Sequence, residues 1–212
     1  MLKSHPLSNI KGLYAITPDT LDTEHLIAKV QSVLEGGVCL LQYRNKLADA
    51  ALRLQQANAL LRLCHSYSVP LIINDHVALC AEIDADGLHL GADDDQLIEA
   101  RKLLGQHKII GVSCYNQLVL AKKAQADGAD YVAFGACFAS STKPKAPIAP
   151  LSLFAQAKQE LHIPIVAIGG ITLKNAQQVK QAGADVIAVI SAVFNADSIT
   201  ETSQQFHLTF KQ

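Results

Sequence analysis

The chain has 212 residues, half of them hydrophobic, with 18 Lys and Arg against 19 Asp and Glu. Half apolar is ample for a packed core, and a charged fraction of 17%, below the usual ~25%, excludes a disordered or coiled-coil chain. A net charge of −1 with no basic run, and the absence of Trp, exclude the electrostatic and stacking surfaces of a nucleic-acid or anionic-membrane binder.

Along the chain, short apolar runs occupy residues 13–16, 38–42, 71–73, 87–90, 109–112, 131–134, 165–168 and 186–190. They are continuous in apolar character rather than alternating, as parallel strands buried on both faces are. Each is followed by a stretch with helical spacing. Leu26, Val30, Val33 and Leu34 mark the first stripe, with Asp22 or Thr23 as its cap and Gly36-Gly37 as its stop. Further stripes cover residues 52–64, 97–104, 118–124 and 176–182; shorter helices are expected over 77–83 and 151–161, and 199–210 closes the chain. A segment repeats: Gly128-Ala129-Asp130 and Gly183-Ala184-Asp185 each end a helix and turn into a strand. Eight βα units in about 200 residues predict an α/β fold, a single (β/α)8 TIM barrel over residues 1–212. An open doubly wound sheet is the rival, but no G-x-G-x-x-G follows the first run.

Five scattered cysteines without a C-x-x-C pair suit a reducing compartment, and the eight histidines lack metal-ligand spacing. Residues 1–12 hold no signal-like apolar stretch, and no run reaches the roughly 18 apolar residues of a membrane span. The expectation is a soluble, cytoplasmic protein whose ligands are small.

Chemistry in such a barrel sits at the carboxyl ends of the strands. After the second run come Gln42, Tyr43, Arg44, Asn45 and Lys46, two cations that can converge on a multi-oxygen anion or merely form a solvated turn. Asn74-Asp75 follow the third run and Asp93-Asp94-Asp95 the fourth. Carboxylates from adjacent strand ends suit Mg²⁺, although each has a helix-capping alternative. Ser113 ends the fifth run. The sixth opens a long loop holding Ser140, Ser141, Thr142 and Lys143, which reads as an anion-gripping lid or as a flexible connector. Gly169-Gly170 after the seventh run, with Ile190 and Ser191 after the eighth, match the common phosphate site of the architecture. His89 reads as a core or supporting histidine, and His76 as an outside candidate for proton transfer. Cations and carboxylates with so little acid–base equipment suit departure of diphosphate, which needs charge neutralisation more than protonation.

At these residues the sequence resembles the thiamine phosphate synthase family, from Leu13 to about Phe194. The resemblance implies a transferase joining 4-amino-2-methyl-5-(diphosphooxymethyl)pyrimidine to a thiazole phosphate, giving thiamine phosphate and diphosphate by a dissociative, Mg²⁺-assisted route. It implies Asp75 and Asp94 as metal ligands, and Gln42, Tyr43, Arg44, Asn45, Lys46, Asn74, Ser113 and Lys143 around the pyrimidine diphosphate. Arg44, Lys46 and Lys143 would act on the departing charge; Ser140, Ser141, Thr142, Gly170, Ile190 and Ser191 would hold the thiazole phosphate. Glu is common in the family where Asn45 stands, and Ser140 takes the place of a family Thr. The alternatives are a thiazole tautomerase of the same fold and a non-catalytic regulator that binds a phosphate ligand. The expected partners are the two small substrates, with no nucleic acid and no membrane; a homodimer stays open.

Overall fold

The computed structural model describes residue 7 and residues 10–91, 94–139 and 147–211, the side chains of residues 94, 95 and 211 excepted. Strand and helix alternate as β1 (Gly12–Ile16), α1 (Thr23–Gly36), β2 (Leu40–Tyr43), α2 (Ala50–Ser66), β3 (Leu71–Asn74), α3 (Val77–Glu82), β4 (Gly87–Leu90), α4 (Asp94–Leu104) and β5 (Ile109–Tyr115). They continue as α5 (Leu118–Ala126), β6 (Tyr131–Phe134), α6 (Ser152–Glu160), β7 (Ile165–Ile168), α7 (Ala176–Gln181), β8 (Val186–Val189), α8 (Ser191–Phe194) and α9 (Ile199–Lys211). All eight strands pair in parallel, in chain order, and β8 returns to β1 to close a barrel. The open-sheet rival is thereby excluded. Asp22 caps α1 through its Oδ1, which accepts from His25 N at 2.9 Å, and Asp49 does the same for α2 through Leu52 N at 2.8 Å. The short α8 was not expected. The apolar run 186–190 continues into Ala192-Val193-Phe194, so composition carries no break there; the break is conformational, at Ile190 with ψ −87°.

Side chains of the strands sort into two apolar layers. Tyr14, Ile16, Leu40, Ile72, Ile109, Tyr131, Ala133, Val166, Val186 and Ala188 fill the bore, joined by Leu7. Their neighbours in sequence, such as Leu13, Ala15, Leu41, Ile73, Val132, Ala167 and Ile187, face the helices and build the larger core. Both layers are apolar, which is why the period-two alternation is invisible in the sequence. The bore has little room. A Cβ on Gly111 would lie 1.9 Å from Tyr131 Cζ, and one on Gly87 would lie 2.3 Å from the Ile109 carbonyl oxygen. Glycine at 111 leaves room for the Tyr131 ring, and glycine at 87 for Ile109 and Ile72.

The Gly-Ala-Asp repeat has a structural meaning, and a third copy of its Asp stands at Asp86. Asp86, Asp130 and Asp185 precede β4, β6 and β8, and each carboxylate accepts from the backbone N–H that opens or lies one residue into the preceding odd strand. The bonds are Leu71 N to Asp86 Oδ2 at 2.8 Å, Ile110 N to Asp130 Oδ2 at 2.6 Å and Ile165 N to Asp185 Oδ2 at 2.9 Å. A basic side chain braces each: His65, Arg101 and Lys158 respectively. Only the Arg101–Asp130 pair is buried, at 2.7 Å, and Arg101 also donates to the carbonyls of Gly105, Lys108 and Gly128. These carboxylates sit at the amino ends of the strands, so the paired charges they hold serve stability and leave the opposite rim for chemistry.

Candidate active site

At the carboxyl ends of β2 and β3 a cavity of about 300 Å³ is lined by residues 43–46, Arg53, Ile73, Asn74, Asp75 and His76. The cluster after the second run and the Asn74-Asp75 pair therefore meet in one place. Arg53, on the first turn of α2, is a third cation that sequence reasoning missed. Its signal was the helix phase: a residue in the first turn after a strand-end loop hangs over that loop.

Arg44 is held by partners that sequence reasoning also missed. Its Nη1 lies 3.1 Å from both carboxylate oxygens of Asp19, and Lys46 N donates to Asp19 Oδ1 at 2.7 Å. Thr17, fully buried, accepts from Arg44 N and donates to the Arg44 carbonyl, each at 2.9 Å. Thr17 and Asp19 follow the first strand, the one strand end whose following residues were not read as chemistry. Arg44 Nε and Nη2 make no bond to a described residue, and Lys46 is exposed with its ammonium unpaired among them. Such a fork and point charge together suit a polyphosphate.

Tyr43 and Asn45 border the cavity but are turned differently from Arg44 and Lys46. Their side chains point to the helix layer, where they are 2% and 5% exposed. Tyr43 Oη donates to Gln56 Oε1 at 2.8 Å; Asn45 Nδ2 donates to Gln56 Oε1 at 2.9 Å and to the Thr20 carbonyl at 2.5 Å. Asn45 Oδ1 accepts from Leu47 N and Ala48 N. Alternation explains it: Gln42, Arg44 and Lys46 share one side of the strand end, so Tyr43 and Asn45 take the other. They brace the loop that carries the cations, and their polar side-chain atoms are committed within the fold.

Asp75 adopts a left-handed backbone, φ 62°, which Asp tolerates better than most residues. Its N–H donates to the His89 carbonyl, and its Oδ2 accepts from Asn74 Nδ2 at 2.7 Å. The capping alternative is not realised, because the N-cap of α3 is His76, with no side-chain bond. Burial and the Arg53 charge hold His76 below its ordinary value, with Asp75 opposing them. Asp94 opens α4, and its side chain lies outside the described residues, as do Ala92 and Asp93. Among the described residues no cluster of three or more His, Cys, Asp or Glu is arranged to hold a metal.

Gln42 and Ser113 face the bore. Gln42 Nε2 donates to Tyr14 Oη at 2.7 Å, and Ser113 Oγ lies 2.8 Å from His89 Nε2. On the far side of the rim, Gly169 and Gly170 have φ of 98° and 63°. A Cβ on Gly170 would sit 2.5 Å from the Ala139 carbonyl oxygen, and one on Gly169 would sit 2.5 Å from Ala136 Cβ. The two glycines thus let the strand after β6 lie directly on the β7 end, where Cys137 N donates to the Ile168 carbonyl and Phe138 N to that of Gly169. Ala149 N to Ala136 O, 2.8 Å, closes the base of the loop. Ile190 and Ser191 stand next to this seam, at the end of β8, which pairs with β7. Ser140, Ser141, Thr142 and Lys143 lie outside the described residues.

The chain matches the thiamine monophosphate synthase family over residues 13–193. It belongs to that family. The thiamine-phosphate synthase of Methylobacillus flagellatus is 56% identical over 206 residues, covering 97% of this chain and 98% of that one. That of Nitrosospira multiformis is 49% identical over 207 residues, covering 98% of this chain and 88% of its own. Among solved structures, the thiamine phosphate pyrophosphorylase of Pyrococcus furiosus superposes with a TM-score of 0.86 at 33% identity, covering 97% of this chain and 98% of that one. A 3-hexulose-6-phosphate synthase, at 19% identity and a TM-score of 0.69, shares the fold alone. No helix among the described residues is long and apolar enough to cross a membrane.

Proposed function

We propose that residues 1–212 form one catalytic domain that joins 4-amino-2-methyl-5-(diphosphooxymethyl)pyrimidine to a thiazole phosphate, releasing diphosphate and giving thiamine phosphate. The observation that carries this reading is the cavity at β2–β3, where Arg44, Lys46 and Arg53 converge beside Asn74 and Asp75. A tautomerase has no diphosphate to hold and no use for that concentration of positive charge. The two curated relatives named above are thiamine-phosphate synthases, and the Pyrococcus furiosus structure is a thiamine phosphate pyrophosphorylase.

In this reading Arg44 and Lys46 bind the diphosphate, Arg44 with the fork positions that Asp19 leaves uncommitted. As the C–O bond breaks, negative charge collects on the diphosphate, and fixed cations favour that charge over the ground state. Gln42 and Ser113 orient the aminopyrimidine, whose electron-rich ring stabilises the methylene cation until the thiazole nitrogen captures it. Gly170, Ile190 and Ser191, with Ser140, Ser141 and Thr142, hold the thiazole phosphate, while Lys143 acts with Arg44 and Lys46 on the departing diphosphate. No general base is needed for that departure, which turns on neutralising charge.

The donor set fits a magnesium ion. Asp75 is exposed at the cavity and offers hard carboxylate oxygen, its one side-chain partner among the described residues being a neutral amide. Asp75 and Asp94 would hold the ion, which when bound supplies charge neutralisation for the diphosphate. The working compartment is the cytoplasm, supported by five unpaired thiols.

Purified protein given both substrates and Mg²⁺ is expected to release diphosphate, and EDTA to stop it. Isomerisation of the thiazole without coupling would overturn the reading. Asp75→Ala is expected to lose most turnover while keeping its thermal midpoint; full activity at saturating Mg²⁺ would remove Asp75 from the ligand set.

A further inference from the structure

Five polar side chains form a single file across the bore, and the proposed chemistry uses only its two ends. Gln42 Nε2 donates to Tyr14 Oη at 2.7 Å, Tyr14 and Tyr131 share a bond at 2.9 Å, Tyr131 Oη meets His89 Nδ1 at 2.9 Å, and His89 Nε2 meets Ser113 Oγ at 2.8 Å. The five come from β2, β1, β6, β4 and β5, so the file links strands on opposite sides of the barrel. Its middle is sealed: both tyrosines are 1% exposed, their rings meet edge-on at 5.9 Å, and the imidazole stacks on Tyr131 at 5.6 Å. Gly111 makes the space for the Tyr131 ring.

Every bond in such a file has a direction. Burial pushes both phenols well above their ordinary value, so each keeps one proton and can donate once. With the Gln42 amide nitrogen donating, Tyr14 donates to Tyr131, Tyr131 donates to Nδ1, the imidazole proton sits on Nε2, and Ser113 accepts it. The Ser113 hydroxyl proton then points away from the file, while Gln42 keeps Oε1 as an acceptor. Turn the amide over and every proton reverses: Ser113 donates to Nε2 and presents only lone pairs, while Gln42 presents N–H. A mixed arrangement sets donor against donor or lone pair against lone pair inside a dry bore, which is the expensive outcome. With one proton on the imidazole, the amide atom that Gln42 leaves outside the file and the Ser113 hydroxyl therefore differ in sign, Oε1 against a free O–H or Nε2 against a free lone pair.

We infer that Tyr14, Tyr131 and His89 are positioning residues that couple Gln42 to Ser113 with opposite hydrogen-bonding polarity. The site thereby selects a ring offering one acceptor and one donor together. An aminopyrimidine does so through a ring nitrogen and its exocyclic amine; the identity of that ring rests on the function proposed above. An analogue with two acceptors, such as a 4-methoxypyrimidine, would leave one end facing an unmatched lone pair. A buried site built for a donor rejects a ligand lacking it far more strongly than an apolar site rejects an extra methylene.

The test compares Tyr131→Phe, which keeps the ring and cuts the file at its centre, with the unaltered chain. Dissociation constants for the 4-amino and 4-methoxy pyrimidine diphosphates are measured by calorimetry with Mg²⁺ and without the thiazole; coupling rates are measured separately. The unaltered chain is expected to prefer the amino compound at least 30-fold. In Tyr131→Phe the two ends set their polarity independently, so the preference should fall to within about 5-fold, with KM for the thiazole phosphate changed less than 2-fold. Tyr14→Phe cuts the next link and should give the same loss, which covers the case in which the first variant does not fold. A merely structural role would lower stability and leave the amino-to-methoxy ratio where it was, and that result overturns the inference. Failure of the unaltered chain to couple the substrates would instead overturn the proposed function, so the two failures are told apart.

Discussion

Replacing Gly111 by Ala puts a methyl group where the structure has none to spare. The new Cβ would lie 1.9 Å from Tyr131 Cζ and 2.3 Å from both Cε atoms. Carbon atoms rest at about 3.5–4.0 Å, so the ring must retreat by roughly 1.5 Å. It is 1% exposed and held at its hydroxyl by Tyr14 and His89, both at 2.9 Å. A shift of that size carries both bonds out of hydrogen-bond range. Overpacking contributes about 1–3 kcal/mol, and the orphaned buried hydroxyls add about 1–3 kcal/mol. The backbone of Gly111 lies outside the left-handed region, so the effect is steric alone. The expected loss is ~3–5 kcal/mol out of a total stability of about 5–15 kcal/mol, or a fall of about 10 °C in thermal midpoint for a chain of this length. Urea unfolding followed by circular dichroism measures it. In a Tyr131→Val background, where the ring is gone, the same Gly111→Ala change should shift the free energy by less than ~1 kcal/mol. Equal losses in the two backgrounds, or a small loss in the parent, would refute the packing argument.

Three further outcomes follow from the same geometry. Asp130→Ala strands the buried Arg101 charge and removes the acceptor of Ile110 N; a loss of ~3–5 kcal/mol in urea unfolding is expected, with part recovered on adding Arg101→Met. Gly170→Ala imposes φ 63° on an alanine and drives its Cβ toward the Ala139 and Phe138 carbonyls. The backbone term alone is ~1–2 kcal/mol, and steady-state kinetics should show KM for the thiazole phosphate raised about tenfold, with KM for the pyrimidine diphosphate nearly unchanged. Stability should fall in alkali. Burial raises the Cys64 and Cys80 thiols from 9.0 to about 12 and lifts Tyr14 and Tyr131 above their ordinary 10.0. Folded groups with raised values hold their protons more tightly than the unfolded chain does, so their contribution is intact below pH 9 and is lost above it. A urea midpoint flat to pH 11 would contradict this, and Tyr14→Phe should reduce the slope above pH 10.

Much of the site was legible because strand ends are legible. Each apolar run marks a strand, the barrel rule points to its carboxyl end, and the residues standing there are polar for a reason. Gln42, Arg44, Lys46, Asn74, Asp75 and Ser113 were picked out as candidates in that way, and the structure sets each at or just after the carboxyl end of its strand. The sequence took the motif whole and did not separate Tyr43 and Asn45 from the cations, although side chains one apart on a strand end face opposite ways. Thr17 and Asp19 were missed because each acts on a neighbour far along the chain: Asp19 meets Arg44 across 25 residues. Arg53 was missed because it lies in the first turn of a helix and not at a strand end.

Linear order thus decided the architecture. Eight buried runs, each relieved by a helix of the right period, admit few arrangements, since parallel strands need crossovers and buried sheets need cover on both faces. Closure of the barrel decided the rest. Only when β8 meets β1 do Gln42, Tyr14, Tyr131, His89 and Ser113, scattered over 99 positions from Tyr14 to Ser113 and beyond to Tyr131, fall into hydrogen-bond contact across one bore. No local pattern encodes that file, because the energy that forms it comes from excluding water between strands that are neighbours in space alone.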